Sequence, residues 1–290
     1  AHTAEIVSHT LRRFLHLLGA EATVHALLLR GDGFLRTRVI EQGVARGVSM
    51  RIEFAHIEAV GDRLQLQDEI EAVRLRGDFE AFRFEGDRVV AGAGVLLPQI
   101  SRAAAERGLS GAEPFCGIPG TVGGALQTNA GTPEGDIGRL VREVDIFDGE
   151  GNIRRVGRDD IRFSYRRSSL AGQIVLSVDL QLRTGNKNDI LATMDRLLKR
   201  RAERQPLGTK NCGSVFKNPT GDHAARLIEA VGLKGFRIGG AQVSPKHANF
   251  IENIDHASAA DVHTLIDALR SAVRQRFGID LELEVWTVGE

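Results

Sequence analysis

The sequence predicts an α+β protein built in two or three closely packed parts. Three observations carry that expectation. Short apolar runs bounded by glycine and aspartate recur between residues 71 and 91 and again between 141 and 182, as in antiparallel strands. Beyond Gly185 the apolar spacing lengthens to that of helices. The chain has 290 residues, more than one core usually organises, and it shows no internal repeat.

Near the start, Ile6, Leu11, Phe14, Leu15 and Leu18 stand at helical spacing over residues 4 to 18, and Asp32 is placed to cap a second helix carrying Leu35, Val39, Ile40 and Val44. A strand is expected after each. Ala72 to Leu75, Ala81 to Phe84 and Arg88 to Ala91 read as strands between turns at Gly77-Asp78 and Gly86-Asp87. A helix from Pro98 to Arg107 leads into a glycine-rich segment at 117 to 131. Val141 to Phe147 and Asn152 to Val156 flank Asp148-Gly149-Glu150-Gly151, a hairpin signal. Ile174, Leu176, Val178, Leu180 and Leu182 alternate with Val175, Ser177, Asp179 and Gln181, which predicts a half-buried strand.

Ile190, Met194, Leu197 and Leu198 mark a basic helix that ends before Pro206, and a domain boundary is expected near it. A helix from His223 to Val231 is stopped by Gly232. A longer one is opened by Ser258 and Asp261 and closed by Gly278, with Val262, Leu265, Ile266, Leu269, Val273 and Phe277 as its expected buried stripe. Leu281 to Val288 alternates as a final strand.

Composition narrows the function. Lysine plus arginine equal aspartate plus glutamate at 38 each, so no basic excess points to nucleic acid. The two cysteines, Cys116 and Cys212, form no Cys-x-x-Cys pair, and the nine histidines no His-Glu-x-x-His pattern. No structural zinc or other metal site and no disulfide framework is expected, and a reducing compartment suits the chain. Arg12, Arg13 and His16 interrupt Leu15, Leu17 and Leu18, and no apolar run approaches the roughly 20 residues that span a bilayer. The expected location is cytoplasmic, without a membrane partner.

Five segments carry chemistry. Gly117-Ile118-Pro119-Gly120-Thr121-Val122-Gly123-Gly124-Ala125, followed by Asn129-Ala130-Gly131, is glycine-rich enough either to bring backbone N–H groups onto an anion or to form a tight turn between packed elements. In Tyr165-Arg166 a guanidinium stands beside a tyrosine, suited to clamp a carboxylate or phosphate or to lie on a solvated surface. Gly213 to Pro219 sets Ser214 among the donors Lys217 and Asn218, in what is otherwise a polar turn. Glu284 shares a strand face with Glu282, and Lys246-His247 lies in a polar loop running into Phe250.

Taken in order, these segments resemble the UDP-N-acetylenolpyruvoylglucosamine reductase (UDP-N-acetylmuramate dehydrogenase) family of peptidoglycan synthesis and cell-wall biogenesis. The matching pieces are Gly117 to Gly131, Tyr165-Arg166-x-Ser168, Gln205-Pro206, Gly213 to Pro219, Leu227 to Glu229, Gly235 to Ala241, Lys246 to Asn253 and Phe277 to Val285. The resemblance implies a two-lobed flavin-binding domain of the vanillyl-alcohol-oxidase/PCMH type followed by a C-terminal α+β substrate domain. The implied parts are residues 1–76, 77–188 and 189–290. It implies FAD as cofactor, NADPH as co-substrate and a uridine sugar nucleotide as substrate. Gly117, Ile118, Pro119, Gly120, Thr121, Gly123, Gly124 and Asn129 would meet the flavin. Ser214 would protonate the substrate carbon while Arg166 and Glu284 stabilise the intermediate, and Tyr165, Lys217, Asn218, Lys246 and His247 would face substrate or nicotinamide phosphates.

The first seventy residues depart from that pattern. Family members carry a Thr-Thr element leading to Gly-Gly, and then a Gly-x-Gly-Ser-Asn loop for the flavin pyrophosphate. The first position falls near His9 to Ala22, which holds Thr10 and a lone Gly19. The second falls on Phe54 to Asp62, where one glycine stands among Glu58 and Asp62, which oppose an anion. The departure leaves open an alternative: a flavin-free relative that binds a sugar nucleotide or a protein partner in a regulatory or scaffold role.

Overall fold

The computed structural model describes residues 23–31, 34–45, 48–59, 72–147 and 153–285, those before 77 as backbone apart from Leu75. Both readings of residues 4 to 22, the first helix and the Thr-Thr position, lie outside them. The chain divides after Leu197 into two compact units.

The first unit holds a four-stranded and a five-stranded antiparallel sheet beside three short two-stranded ones. The four-stranded sheet runs in chain order through Thr23–Gly31, Phe34–Ala45, Val48–Ala59 and Ala72–Gly77. The helix expected over Leu35 to Val44 is therefore a strand, paired on one side from Phe34 to Gln42 and on the other from Phe34 to Ala45. Thr37, Val39 and Ile40 are β-branched and favour a pleated surface, and Leu35 and Val39 are as compatible with alternation as with a helical turn. The expected pyrophosphate-loop position is also strand as far as Ala59, with residues 60–62 outside the described set.

The second sheet orders its strands Ile153–Gly157, Val141–Phe147, Ile174–Gln181, Arg88–Gly92 and Phe82–Glu85. Ile174–Gln181 lies in the middle, and alternation along it misstates its burial: Val175 and Asp179 are buried along with Leu176, Val178 and Leu180. Arg88 Nη1 holds Asp179 Oδ2 at 2.8 Å, which explains how a carboxylate is tolerated there. The helices Leu97–Glu106 and Val122–Thr128 contribute Leu97, Ile100, Val122 and Leu126 to the same core as Val89 and Leu180, all fully buried. Each such side chain contributes about 1.5–3 kcal/mol by leaving water.

In the second unit the strands Asn211–Ser214, Phe250–Asn253, Ala241–Val243 and Arg237–Ile238 form one antiparallel sheet in that order. The helix Ala259–Phe277 packs Leu265, Ile266, Leu269 and Val273 into its core. Ser258 caps the helix in a reciprocal box with Asp261, and Gly278 ends it at φ 68°, as the sequence signals anticipate. The last strand is shorter than alternation suggests. Among the described residues it is a single bridge, Phe216 to Leu283, after which the chain bends.

Candidate active site

The glycine-rich segment forms a 3-10 turn, Glu113–Gly117, and then the helix Val122–Thr128, capped by Thr121. Its first-turn N–H groups are already used. Val122 donates to Val95 O and Gly123 to Ala93 O, both at 2.8 Å, and Gly124 donates to Thr121 Oγ1 at 3.3 Å. The helix start is thus bonded sideways to the chain leaving the sheet, and those three donors do not form an anion cradle. The glycines divide by task. A Cβ on Gly123 would stand 3.0 Å from Ala93 Cβ, so this residue exists for close packing. A Cβ on Gly120 would meet nothing within 4 Å, and one on Gly124 only Thr121 Oγ1 at 3.6 Å. Gly120 and Gly124 are exposed beside Pro119 and leave a face bare of side chains at their positions, which fits the approach of a flat ring system and would be filled by any larger residue.

Asn129 ends that helix at φ 48° and is buried. Its Nδ2 donates to Ser164 O at 3.0 Å, and its Oδ1 accepts Gly138 N–H at 3.1 Å. Both ends of the amide are engaged within the protein, so its role is to tie the glycine helix to the hairpin that carries Arg166. In that hairpin Phe163 pairs with Ser168 and Ser164 with Arg167, leaving Tyr165-Arg166 as a two-residue turn. Arg166 takes φ 55°, an uncommon conformation for a long side chain, and donates from Nη1 to Gly131 O at 3.2 Å. Its guanidinium carbon stands 5.1 Å from the ring of the exposed Tyr165.

The second unit brings Ser214 and Glu284 together through the backbone. Val215, next to the serine, accepts the Glu284 N–H at 2.8 Å, and Lys217 donates its N–H to Glu282 O at 2.8 Å. Lys217 Nζ also pairs with the Glu282 carboxylate, so the sequence's two strand-face glutamates have separate tasks. Asn218 Oδ1 accepts Ala224 N–H at 3.1 Å and thereby caps the helix Ala224–Ala230. Ser244 Oγ accepts the N–H groups of Lys246 and His247, shaping their loop, and Lys246 Nζ donates to Ala202 O. Burial pushes the His247 imidazole below its ordinary 6.5. Its ring stacks edge-on against Phe250, 4.8 Å between centroids.

One residue of this site was not singled out by sequence. Asn249 is buried beneath the serine loop, with both ends of its amide on Phe216. It lies inside the Lys246-to-Asn253 motif, but nothing local separates a buried loop asparagine from a solvated one. Among the described residues no group of three or more histidine, cysteine, aspartate or glutamate side chains could hold a metal ion. No helix there is long and apolar enough to cross a membrane.

Comparison with known proteins converges on the same two units. Residues 67–157 match the model of an FAD binding domain, and residues 205–288 that of the UDP-N-acetylenolpyruvoylglucosamine reductase C-terminal domain. An FAD-dependent oxidoreductase with its own substrate domain is the class these define. The reductase of Alkalilimnicola ehrlichii is 48% identical over 216 residues, 74% of this chain and 72% of that protein. UDP-N-acetylenolpyruvoylglucosamine reductase 2 of Symbiobacterium thermophilum is 42% identical over 279 residues, 96% of this chain and 82% of that protein. The crystal structure of the reductase from Thermus caldophilus superposes with a TM-score of 0.65 at 40% identity, covering 74% of this chain and 77% of that one. The chain belongs to the UDP-N-acetylenolpyruvoylglucosamine reductase family. The flavin-free alternative is not favoured, since the FAD-binding match and the reductase relatives lie on one chain.

Proposed function

We propose that the protein reduces the enolpyruvyl group of UDP-N-acetylglucosamine enolpyruvate to UDP-N-acetylmuramate, with FAD as cofactor and NADPH as reductant, in the cytoplasm. The observation that carries this reading is the pairing of the Ser214 loop with Glu284 inside a domain of the reductase type. When bound, FAD supplies the hydride relay between NADPH and the terminal carbon of the enolpyruvyl group. Gly117 to Gly124 offer it the bare face described above, with Asn129 fixing that helix from behind.

Addition at the terminal carbon drives charge through the adjacent carbon onto the carboxylate. A guanidinium is charged at any working pH and presents paired donors to a carboxylate, so Arg166 is assigned to hold that charge. The developing carbanion is basic enough to take a proton from a well-placed hydroxyl, and Ser214 is assigned as donor. Glu284 is assigned to share a hydrogen bond at the same centre, since a bare carboxylate would repel the dianion. Tyr165, Lys217, Asn218, Lys246 and His247 are assigned to the sugar nucleotide and the nicotinamide phosphates. The division into residues 1–76, 77–188 and 189–290 goes with this reading as two flavin lobes and a substrate domain.

The test is spectroscopic. Purified protein mixed with FAD is expected to be yellow, to bleach with NADPH and to regain colour on addition of the enolpyruvyl sugar nucleotide. A protein that stays colourless in excess FAD would exclude the reaction.

A further inference from the structure

We propose that Asn249 is a positioning residue for proton transfer from Ser214, a proposal that rests on the reading of Ser214 as proton donor. Asn249 is 4% exposed, and its polar atoms are directed at the serine loop and its support. Oδ1 accepts Phe216 N–H at 3.0 Å, and Nδ2 donates to Phe216 O at 2.7 Å. Its main-chain carbonyl accepts Val215 N–H at 2.9 Å, and its own N–H donates to His247 Nδ1 at 3.3 Å. The two residues after the serine are therefore held at three points by one side chain and its backbone.

On the other side, Ser214 pairs with Phe250 and follows Gly213, whose φ of 88° makes the turn. The serine has no independent freedom of backbone: Asn249 sets the direction in which the chain leaves it. The same clamp reaches Glu284, whose N–H is bonded to Val215 O. A displaced amide would shift donor and carboxyl together. Only a side chain with an adjacent donor and acceptor satisfies Phe216 at both its N–H and its carbonyl. Aspartate, of nearly the same volume, accepts but does not donate when ionised and would repel the Phe216 carbonyl. Proton transfer is sensitive to such shifts, since a 1 Å misplacement slows a positioned reaction by about 10²-fold.

The experiment uses the FAD-loaded enzyme with Asn249→Asp and Asn249→Ser, each checked by thermal melting. Rapid mixing separates flavin reduction by NADPH from flavin reoxidation by the enolpyruvyl sugar nucleotide. The expected result is an unchanged NADPH step, a reoxidation step slower by about 10- to 100-fold, and an unchanged dissociation constant for the sugar nucleotide by calorimetry. In a Ser214→Ala background, Asn249→Asp is expected to add no further loss, which a merely structural residue would not reproduce. Equal losses in both steps, a loss that multiplies with that of Ser214→Ala, or full activity overturns the proposal. Failure of both variants to fold overturns it too, by assigning the amide to the core. Ser214→Ala alone tests the donor reading: an intact reoxidation step there sinks that reading, whereas a slowed one beside an unaffected Asn249→Asp sinks only the present proposal.

Discussion

The turn that carries Arg166 and the loop that carries Ser214 are built by the same device with opposite distribution of strain. Each is pinned by a buried asparagine whose amide is used at both ends, Asn129 on Ser164 and Gly138, Asn249 on Phe216. In the first, Arg166 itself adopts the left-handed conformation, at φ 55°. In the second, the left-handed position belongs to Gly213, within a register shift of the strand, and the serine that follows pairs with Phe250. A left-handed residue other than glycine costs about 1–2 kcal/mol, which the surrounding contacts must offset. A charged anchor with many donors tolerates being set by its turn, whereas a small hydroxyl must be set by its backbone.

Substitutions separate the two arrangements. The largest effect is expected for Ser214→Ala, with kcat falling about 10²- to 10⁴-fold while the sugar nucleotide binds as before; steady-state kinetics beside calorimetry separates the two. Arg166→Lys keeps the charge but loses the planar fork, and a loss of about 10²- to 10³-fold in kcat is expected. Near-normal turnover for it would mean that the turn, not the guanidinium, is what matters there.

The glycine helix offers a contrast of stability with cofactor binding. Gly123→Ala is expected to destabilise the first unit by about 1–3 kcal/mol, because its Cβ has no room beside Ala93. Gly124→Ala has that room and raises helix propensity by up to about 1 kcal/mol, so stability should hold while FAD affinity drops. Urea denaturation of the apoprotein and flavin titration of both variants read the difference.

The smallest effect concerns pH. Burial holds the folded-state imidazole of His247 below its ordinary 6.5, so around that value the unfolded chain binds more protons than the folded one. The associated stability is complete above about 6.5 and is lost as pH falls through the lower, folded value. Melting temperatures recorded across that range should decline toward acid, and His247→Gln should flatten the decline.

Much of this was legible in the sequence where local chemistry decides the outcome. The helix Ala259–Phe277 was readable from Ser258, Asp261 and Gly278 because caps act within four residues. The strand pair Val141–Phe147 and Ile153–Gly157 was readable from its turn glycines. Leu35 to Val44 was misread because apolar residues four apart satisfy both periods, and pairing on both sides decided for a strand. The burial of Val175 and Asp179 escaped because the place of a strand within its sheet leaves no mark on its own alternation. Ser214, Glu284 and Arg166 are proposed through motif order. Asn249 is not, because its partners are 33 residues away and depend on the register of Asn211–Ser214 with Phe250–Asn253.

The start of the glycine helix is fastened to the sheet through Val95 and Ala93 by main-chain bonds alone. Any sequence that keeps room at Gly123 inherits that placement. Thr121 and Gly124 can then vary without moving the wall they belong to, so over generations the lineage is free to retune what its face accepts while the scaffold behind it stays where it was.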